Sequence, residues 1–183
     1  MKITRCLALS LVLALTACGG STYGMRPVDE SPPAAVEGQV VVVFVMPTNG
    51  RDTITIVDEL GGYVGQLRGH SWFAHTTTAG DHRFYGLAGA GEWLVRATGL
   101  EAGHVYFVRA EDPLLGSTRW IAGGCDASVL TGTHRTEIDP TADPASVQRQ
   151  LGNVPQRTMR ADEHFQRMTE PDRAARTLTG TCP

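Results

Sequence analysis

Val40 to Met46 reads Val-Val-Val-Val-Phe-Val-Met, an unbroken apolar run closed by Pro47-Thr48-Asn49-Gly50. A run this short, rich in β-branched side chains and ended by turn formers, predicts a buried strand and not a helix, because a buried helix needs ten or more residues. Shorter segments of strand character follow. Thr53-Ile54-Thr55-Ile56-Val57 alternates polar and apolar, the pattern of a half-buried strand. Residues 63–67, 72–77, 82–85, 93–97, 104–110 and 120–122 continue the series, separated by Gly61-Gly62, Ala79-Gly80-Asp81, the glycines 86, 89 and 91, and Gly103. Short strands at this cadence with glycine turns predict a mainly β chain, a small antiparallel β-sandwich over residues 40–130.

The last third has a different pattern. Asp143 is placed to cap a helix with Pro144 at its first position, Val147 and Leu151 lie one turn apart, and Gly152 is a stop signal. Residues 159–169 set Phe165 and Met168 among charges, Glu170-Pro171 breaks the segment, and residues 172–178 allow another turn or two. Residues 131–183 therefore read as a short C-terminal helical appendage, too poor in apolar residues to form a core alone and expected to pack on the sandwich.

The first twenty residues carry Lys2 and Arg5, an apolar stretch from Leu7 to Leu15, and then Leu15-Thr16-Ala17-Cys18. Basic start, apolar middle and small residues before a cut are the order of a secretory leader, here residues 1–17. The apolar stretch is about half the roughly 20 residues that a bilayer-spanning helix needs. A small residue followed at once by cysteine resembles the bacterial lipobox, which implies acylation (palmitate-type chains) at Cys18 and a mature N-terminus there. Gly19 stands where an aspartate would retain such a protein at the inner membrane, so the resemblance points to the periplasmic face of the outer membrane. Residues 18–39 contain Pro27, Pro32 and Pro33 among glycine, serine and acidic residues, without periodicity, and read as a flexible tether.

Setting the leader aside organises the cysteines. Cys6 leaves with it and Cys18 is blocked by lipid, so Cys125 and Cys182 remain as an even pair in an oxidising compartment. A disulfide between them is the expectation; two unpaired thiols are the alternative. No CxxC or HxxxH spacing supports a metal site. The net charge is −3 for the full chain and becomes more negative once Lys2 and Arg5 are removed. Charges are scattered singly and no basic patch occurs, which leaves nucleic-acid binding without an electrostatic basis.

Catalytic signatures are absent from the sequence. There is no Gly-x-Ser-x-Gly elbow. The stretch from Gly86 to Gly91 precedes a strand, whereas a phosphate loop must open a helix. His70 and His75 have odd spacing and would point to opposite faces of one strand, and His82 lies beyond a turn. His104, His134 and His164 are isolated. The acidic pairs Asp58-Glu59, Glu111-Asp112 and Asp162-Glu163 are adjacent in sequence and read as solvated turns. Trp72, Trp93 and Trp120 are candidate stacking platforms for sugars, against the plainer reading that each belongs to the core. No cofactor is implied.

One resemblance rests on the strand region. The succession Thr55-Ile56-Val57-Asp58-Glu59-Leu60-Gly61-Gly62-Tyr63-Val64-Gly65-Gln66-Leu67, Gly69-His70-Ser71-Trp72-Phe73, Ala79-Gly80-Asp81-His82-Arg83-Phe84 and Leu100-Glu101-Ala102-Gly103-His104-Val105-Tyr106-Phe107-Val108-Arg109 resembles a bacterial envelope lipoprotein domain-of-unknown-function family with a small PEGA-like or transthyretin-like β fold. It covers about residues 40–110. Thr78-Ala79 stands where that family usually has proline, and Trp72 where it has tyrosine. The resemblance implies a fold and an envelope setting and supplies no catalytic residues. The expectation for function is a lipid-anchored, non-enzymatic interaction or structural module with an envelope protein partner; a cell-wall glycan-binding module and a cryptic hydrolase are the alternatives.

Overall fold

The computed structural model describes residues 24–29, 31, 33–49, 52–89, 91–111 and 119–180. The leader, Cys18 and Cys182 lie outside the described residues. The chain is mainly β, with two sheets packed face to face and a helical layer on the outside of one. One sheet has the order β1 (Met25–Pro27), β10 (His134–Ile138), β5 (Ser71–Thr77), β2 (Val40–Met46), β8 (Val105–Glu111), β9 (Arg119–Gly124). The other has β11 (Thr177–Thr179), β7 (Gly91–Leu100), β6 (Gly80–Ala88), β3 (Ile54–Val57), β4 (Tyr63–Leu67).

β2 is the centre of the six-stranded sheet and is buried along its whole length. Val40, Val42, Phe44 and Met46 point inward to the space between the sheets, while Val41, Val43 and Val45 point outward into a second apolar cluster with Trp72 and Phe107. A strand covered on both faces has no polar face to show, which is why its sequence is a continuous apolar run. Between the sheets, Phe44 meets Phe73 at 5.3 Å, Phe84 at 5.2 Å and Trp120 at 6.4 Å between ring centroids. The Trp120 ring occupies room that only a glycine leaves: a Cβ at Gly86 would lie 2.5 Å from it.

The expected antiparallel sandwich is corrected in one respect, since both sheets are mixed. β2 and β8 run parallel, as do β10 with β5 and β11 with β7. After β2 the chain visits the five-stranded sheet, returns for β5, and visits it again for β6 and β7. β8 then comes back beside β2 in the same direction. Parallel neighbours need such crossovers and not hairpins.

Two boundaries also move. The tether expected over residues 18–39 holds β1, whose Met25 is 5% exposed in the main core and whose Arg26 pairs with Glu137 across the ladder. Three residues are too few for a periodic signal, and pairing with β10 is what orders them. The helical appendage expected over residues 131–183 is likewise built into the fold. β10 sits between β1 and β5, and β11 edges the other sheet with Leu178 in the core.

The helices are α1 (Pro144–Leu151), α2 (Val154–Arg167) and α3 (Glu170–Ala175). Asp143 Oδ2 accepts from the Ser146 amide at 3.1 Å, the N-terminal cap predicted for α1. Asn153 caps α2 by accepting from the Gln156 amide at 3.2 Å. Leu151, Val154, Ala161 and Phe165 bury a stripe against Val57, Tyr85, Leu87 and Leu94 on the outer face of the five-stranded sheet. This layer is why Thr55, expected to be half exposed, is 9% exposed and instead accepts from Gln66 Nε2 at 3.0 Å.

Polar contacts lock α2 in register on the sheet. Tyr85 donates its hydroxyl to Asp162 at 3.0 Å. Glu92 accepts from Arg160 at 2.6 Å and from Arg157 at 3.1 Å, and Arg157 also donates to the Ala88 carbonyl. The Arg160 hydrogen bond, seconded by Arg157, holds the Glu92 carboxyl below its ordinary range against the opposing effect of its burial. A carboxyl lowered in the folded state contributes stability above its unfolded pKa, and that contribution is lost as pH falls through the folded value. Glu92→Gln is therefore expected to destabilise by about 1–2 kcal/mol at pH 7, a charge-assisted bond discounted for the solvent exposure of Arg160. The difference from the parent chain should shrink as the pH is taken below 4.5, the ordinary glutamate value, read as urea midpoints at each pH.

Candidate functional site

The outward side chains of the six-stranded sheet that α2 does not cover form the floor of a pocket of about 540 Å³. Trp72 comes from β5, and Val105 and Phe107 from β8, where alternate residues share a face. The wall is a 3-10 turn, Ala127–Leu130, with the following loop to Thr133, and Pro33 closes the other side. Asp126 shapes the wall: its carboxylate accepts from the Ser128 amide at 2.9 Å and the Ser128 hydroxyl at 2.7 Å. These two bonds lower the Asp126 carboxyl below its ordinary range. Thr133 donates to the Leu130 carbonyl at 2.6 Å and pins the far end. Arg135 lies over the Trp72 ring at 5.6 Å, and Thr136 donates to the Trp72 carbonyl at 3.2 Å.

The lining is apolar and aromatic with Thr131, Thr133 and Cys125 as its polar or polarizable members, and it contains no histidine, acid or base. A volume in the range of small-ligand pockets with such a lining can bury a neutral apolar group. It offers no general base, no charged electrophile and no metal ligand set.

The residues singled out from the sequence fall in several places. Cys18 and Cys182 lie outside the described residues. Cys125 directly follows β9, half-buried, against the main core and at the pocket. Trp72 and Trp120 are 3% and 2% exposed, Trp72 at the floor of the pocket and Trp120 between the sheets, and Trp93 is half-buried.

His75 and His82, separated by the β5–β6 turn, come together around Phe84, each ring 6.0 Å from it. His70 stays at the opposite end of β5, in a left-handed turn with φ 56°. Burial lowers the pKa of His75, with Asp58 opposing and His82 adding to the effect. His82 Nδ1 is 3.2 Å from Glu59 Oε1, and its Nε2 is 2.9 Å from the Thr78 carbonyl and 3.5 Å from the Thr77 hydroxyl. The order threonine, histidine, glutamate resembles a catalytic relay, but a carbonyl accepts. An Nε2 that donates to Thr78 cannot also take a proton from Thr77. The arrangement staples the β5–β6 turn to the β3–β4 turn. Among the described residues no group of three histidine, cysteine or acidic side chains is placed to hold a metal ion.

The pocket was not legible in the sequence because its lining comes from segments as far apart as Pro33 and Thr133. The usable signal was the parity of Val105 and Phe107 against the inward Tyr106, which marks a second apolar face on β8. No family model matches the chain, and no curated protein or solved structure matches it either.

Proposed function

We propose that this chain is a bacterial envelope lipoprotein, anchored through acylated Cys18, that acts as a non-enzymatic interaction module, with the apolar pocket over Trp72 and Phe107 as its recognition site. The observation that carries the reading is the composition of that pocket: an aromatic floor, a pinned wall and no charged or catalytic side chain. Trp120 lies between the sheets and offers no ring face for a sugar to stack on, and the largely apolar pocket lining suits an apolar side chain of a protein partner.

The Cys125–Cys182 disulfide belongs to the same proposal. Tyr106 donates its hydroxyl to the carbonyl of Gly180 at 3.0 Å, two residues before Cys182. Its neighbour Phe107 is in register with Gly124, one residue before Cys125. These contacts bring the approach to Cys182 and the end of β9 to the same strand, β8.

Two measurements test the reading. Intact mass of the membrane-extracted protein is expected to show a chain starting at Cys18 with added acyl mass. An unacylated chain would remove the anchor. A photo-crosslinking side chain at Leu130, on the pocket wall, is expected to give a discrete adduct in whole cells that the same group at the exposed Met159 does not give. Identical patterns from both positions would remove the pocket as the recognition site.

A further inference from the structure

The turn between β3 and β4 is built around one carboxylate. Asp58 Oδ1 accepts from the Leu60 amide at 2.9 Å and from the Gly62 amide at 2.7 Å. The Asp58 amide donates to the Gly62 carbonyl, and the Gly61 amide to the Asp58 carbonyl, both at 3.0 Å. Four bonds over five residues leave the loop little freedom, and the side chain they hold outward is Leu60, 91% exposed. The other large apolar side chains exposed among the described residues are at 54% or less. A flexible loop would fold such a side chain back against the protein; this one is prevented from doing so.

The location of the turn says what can meet it. It leads directly into Tyr63, the first residue of β4. A Cβ on Gly24 would lie 3.4 Å from the Tyr63 hydroxyl and 3.2 Å from Val147, so Gly24 packs against the tip of the side chain that is rooted where the turn ends. Gly24 is six positions after Cys18. Six residues reach at most about 20 Å when fully extended. Whatever path residues 19–23 take, an acylated Cys18 keeps this end of the five-stranded sheet close to the bilayer that holds the acyl chains.

The charges of the turn are compatible with that surface. Asp58 is occupied by the turn amides, and Glu59 is drawn back by His82 at 3.2 Å and by the Arg83 amide at 3.5 Å. The tip itself is an uncharged leucine. Flanking acids disfavour an anionic surface, whose potential attracts basic segments, and leave a zwitterionic one as the fit.

We propose that Leu60 rests in the interface of the zwitterionic leaflet that carries Cys18, so that the rigid β3–β4 turn is a second, non-covalent contact that sets the orientation of the domain on the membrane. The inference rests on the anchor reading above, and its experiment separates the two. The acylated protein with Leu60→Cys, carrying a nitroxide, is reconstituted in phosphatidylcholine vesicles. A matched sample carries the nitroxide at Gly89→Cys. Gly89 follows the pairing of Leu87 with Thr55, at the other end of the same sheet, and has open space around it.

Power-saturation spectroscopy is expected to show a severalfold drop in collisions of the Leu60 label with a water-soluble nickel chelate, and a rise with oxygen, on going from detergent-free unacylated protein to vesicles. The Gly89 label should be unchanged. Protein that floats with the vesicles while its Leu60 label stays as accessible to nickel as in solution overturns this inference and leaves the anchor standing. Protein that does not float overturns both.

Discussion

Phe44→Ala is expected to cost about 3–5 kcal/mol, the range for deleting a fully buried phenylalanine. Phe44 is 0% exposed at the middle of the central strand, and its ring is shared by Phe73, Phe84 and Trp120. Those partners come from β5, β6 and β9, so the ring joins both sheets. The loss has two parts: the transfer free energy of the ring, and the cavity left because neighbours held by ladders on both sides cannot close in. Val43→Ala, in the same strand but facing outward, provides the comparison. It removes less volume from the outer apolar cluster and should cost less. The measurement is the urea midpoint of each variant at an unchanged slope. Equal losses at the two positions would mean that the space between the sheets is not the main core.

Reduction of the proposed Cys125–Cys182 bond is the second large effect. The bond would close a loop of nearly sixty residues that contains β10, all three helices and β11. Closing a loop of that length removes chain entropy from the unfolded state worth about 4 kcal/mol. The segment it encloses is otherwise held by β10 and β11 in their sheets and by the buried stripe and polar contacts of α2. Its own contributions are two short strands and one helical stripe, and Leu178 is the member of β11 buried in the core. Reductant is therefore expected to lower the melting temperature of the parent protein and to leave Cys125→Ser unmoved, with the variant melting where the reduced parent melts. Hydrogen exchange in β11 should accelerate in both. A parent chain whose melting is insensitive to reductant would remove the bond from the proposal and leave the Tyr106 bond to Gly180 and the β11–β7 ladder as ties at that end.

Local pattern was enough wherever a residue's fate is decided by its neighbours along the chain. The run from Val40 to Met46 is β2 to the residue, and residues 63–67 are β4 to the residue. Asp143 and Pro144 begin α1, and Gly152 follows its end. In each case the sequence carries the cause: side chains too apolar for any exposed face, a carboxylate positioned for free amides, a residue without a Cβ after the last turn. Direction and partnership were not legible in the same way. Met25–Pro27 and Thr177–Thr179 are three-residue strands with no period of their own, and they exist because a ladder elsewhere offers them unpaired amides and carbonyls. Whether β8 lies parallel or antiparallel to β2 depends on how often the chain crosses between sheets, a property of the whole path.

The site divides along the same line. The sequence by itself determined that the domain is mainly β, that it has buried strands around Phe44, and that no hydrolase or phosphate-loop motif is present. Only the tertiary structure decided that His75 and His82 meet around one ring while His70 does not. It also decided that Trp72 and Phe107 floor a pocket walled by residues 127–133, and that Leu60 is held outward on the β3–β4 turn. Alternation along a strand says which residues share a face, and the hydrophobic effect says that an apolar face will be covered. Neither says by which distant segment, because that choice is made by the packing of all the layers at once.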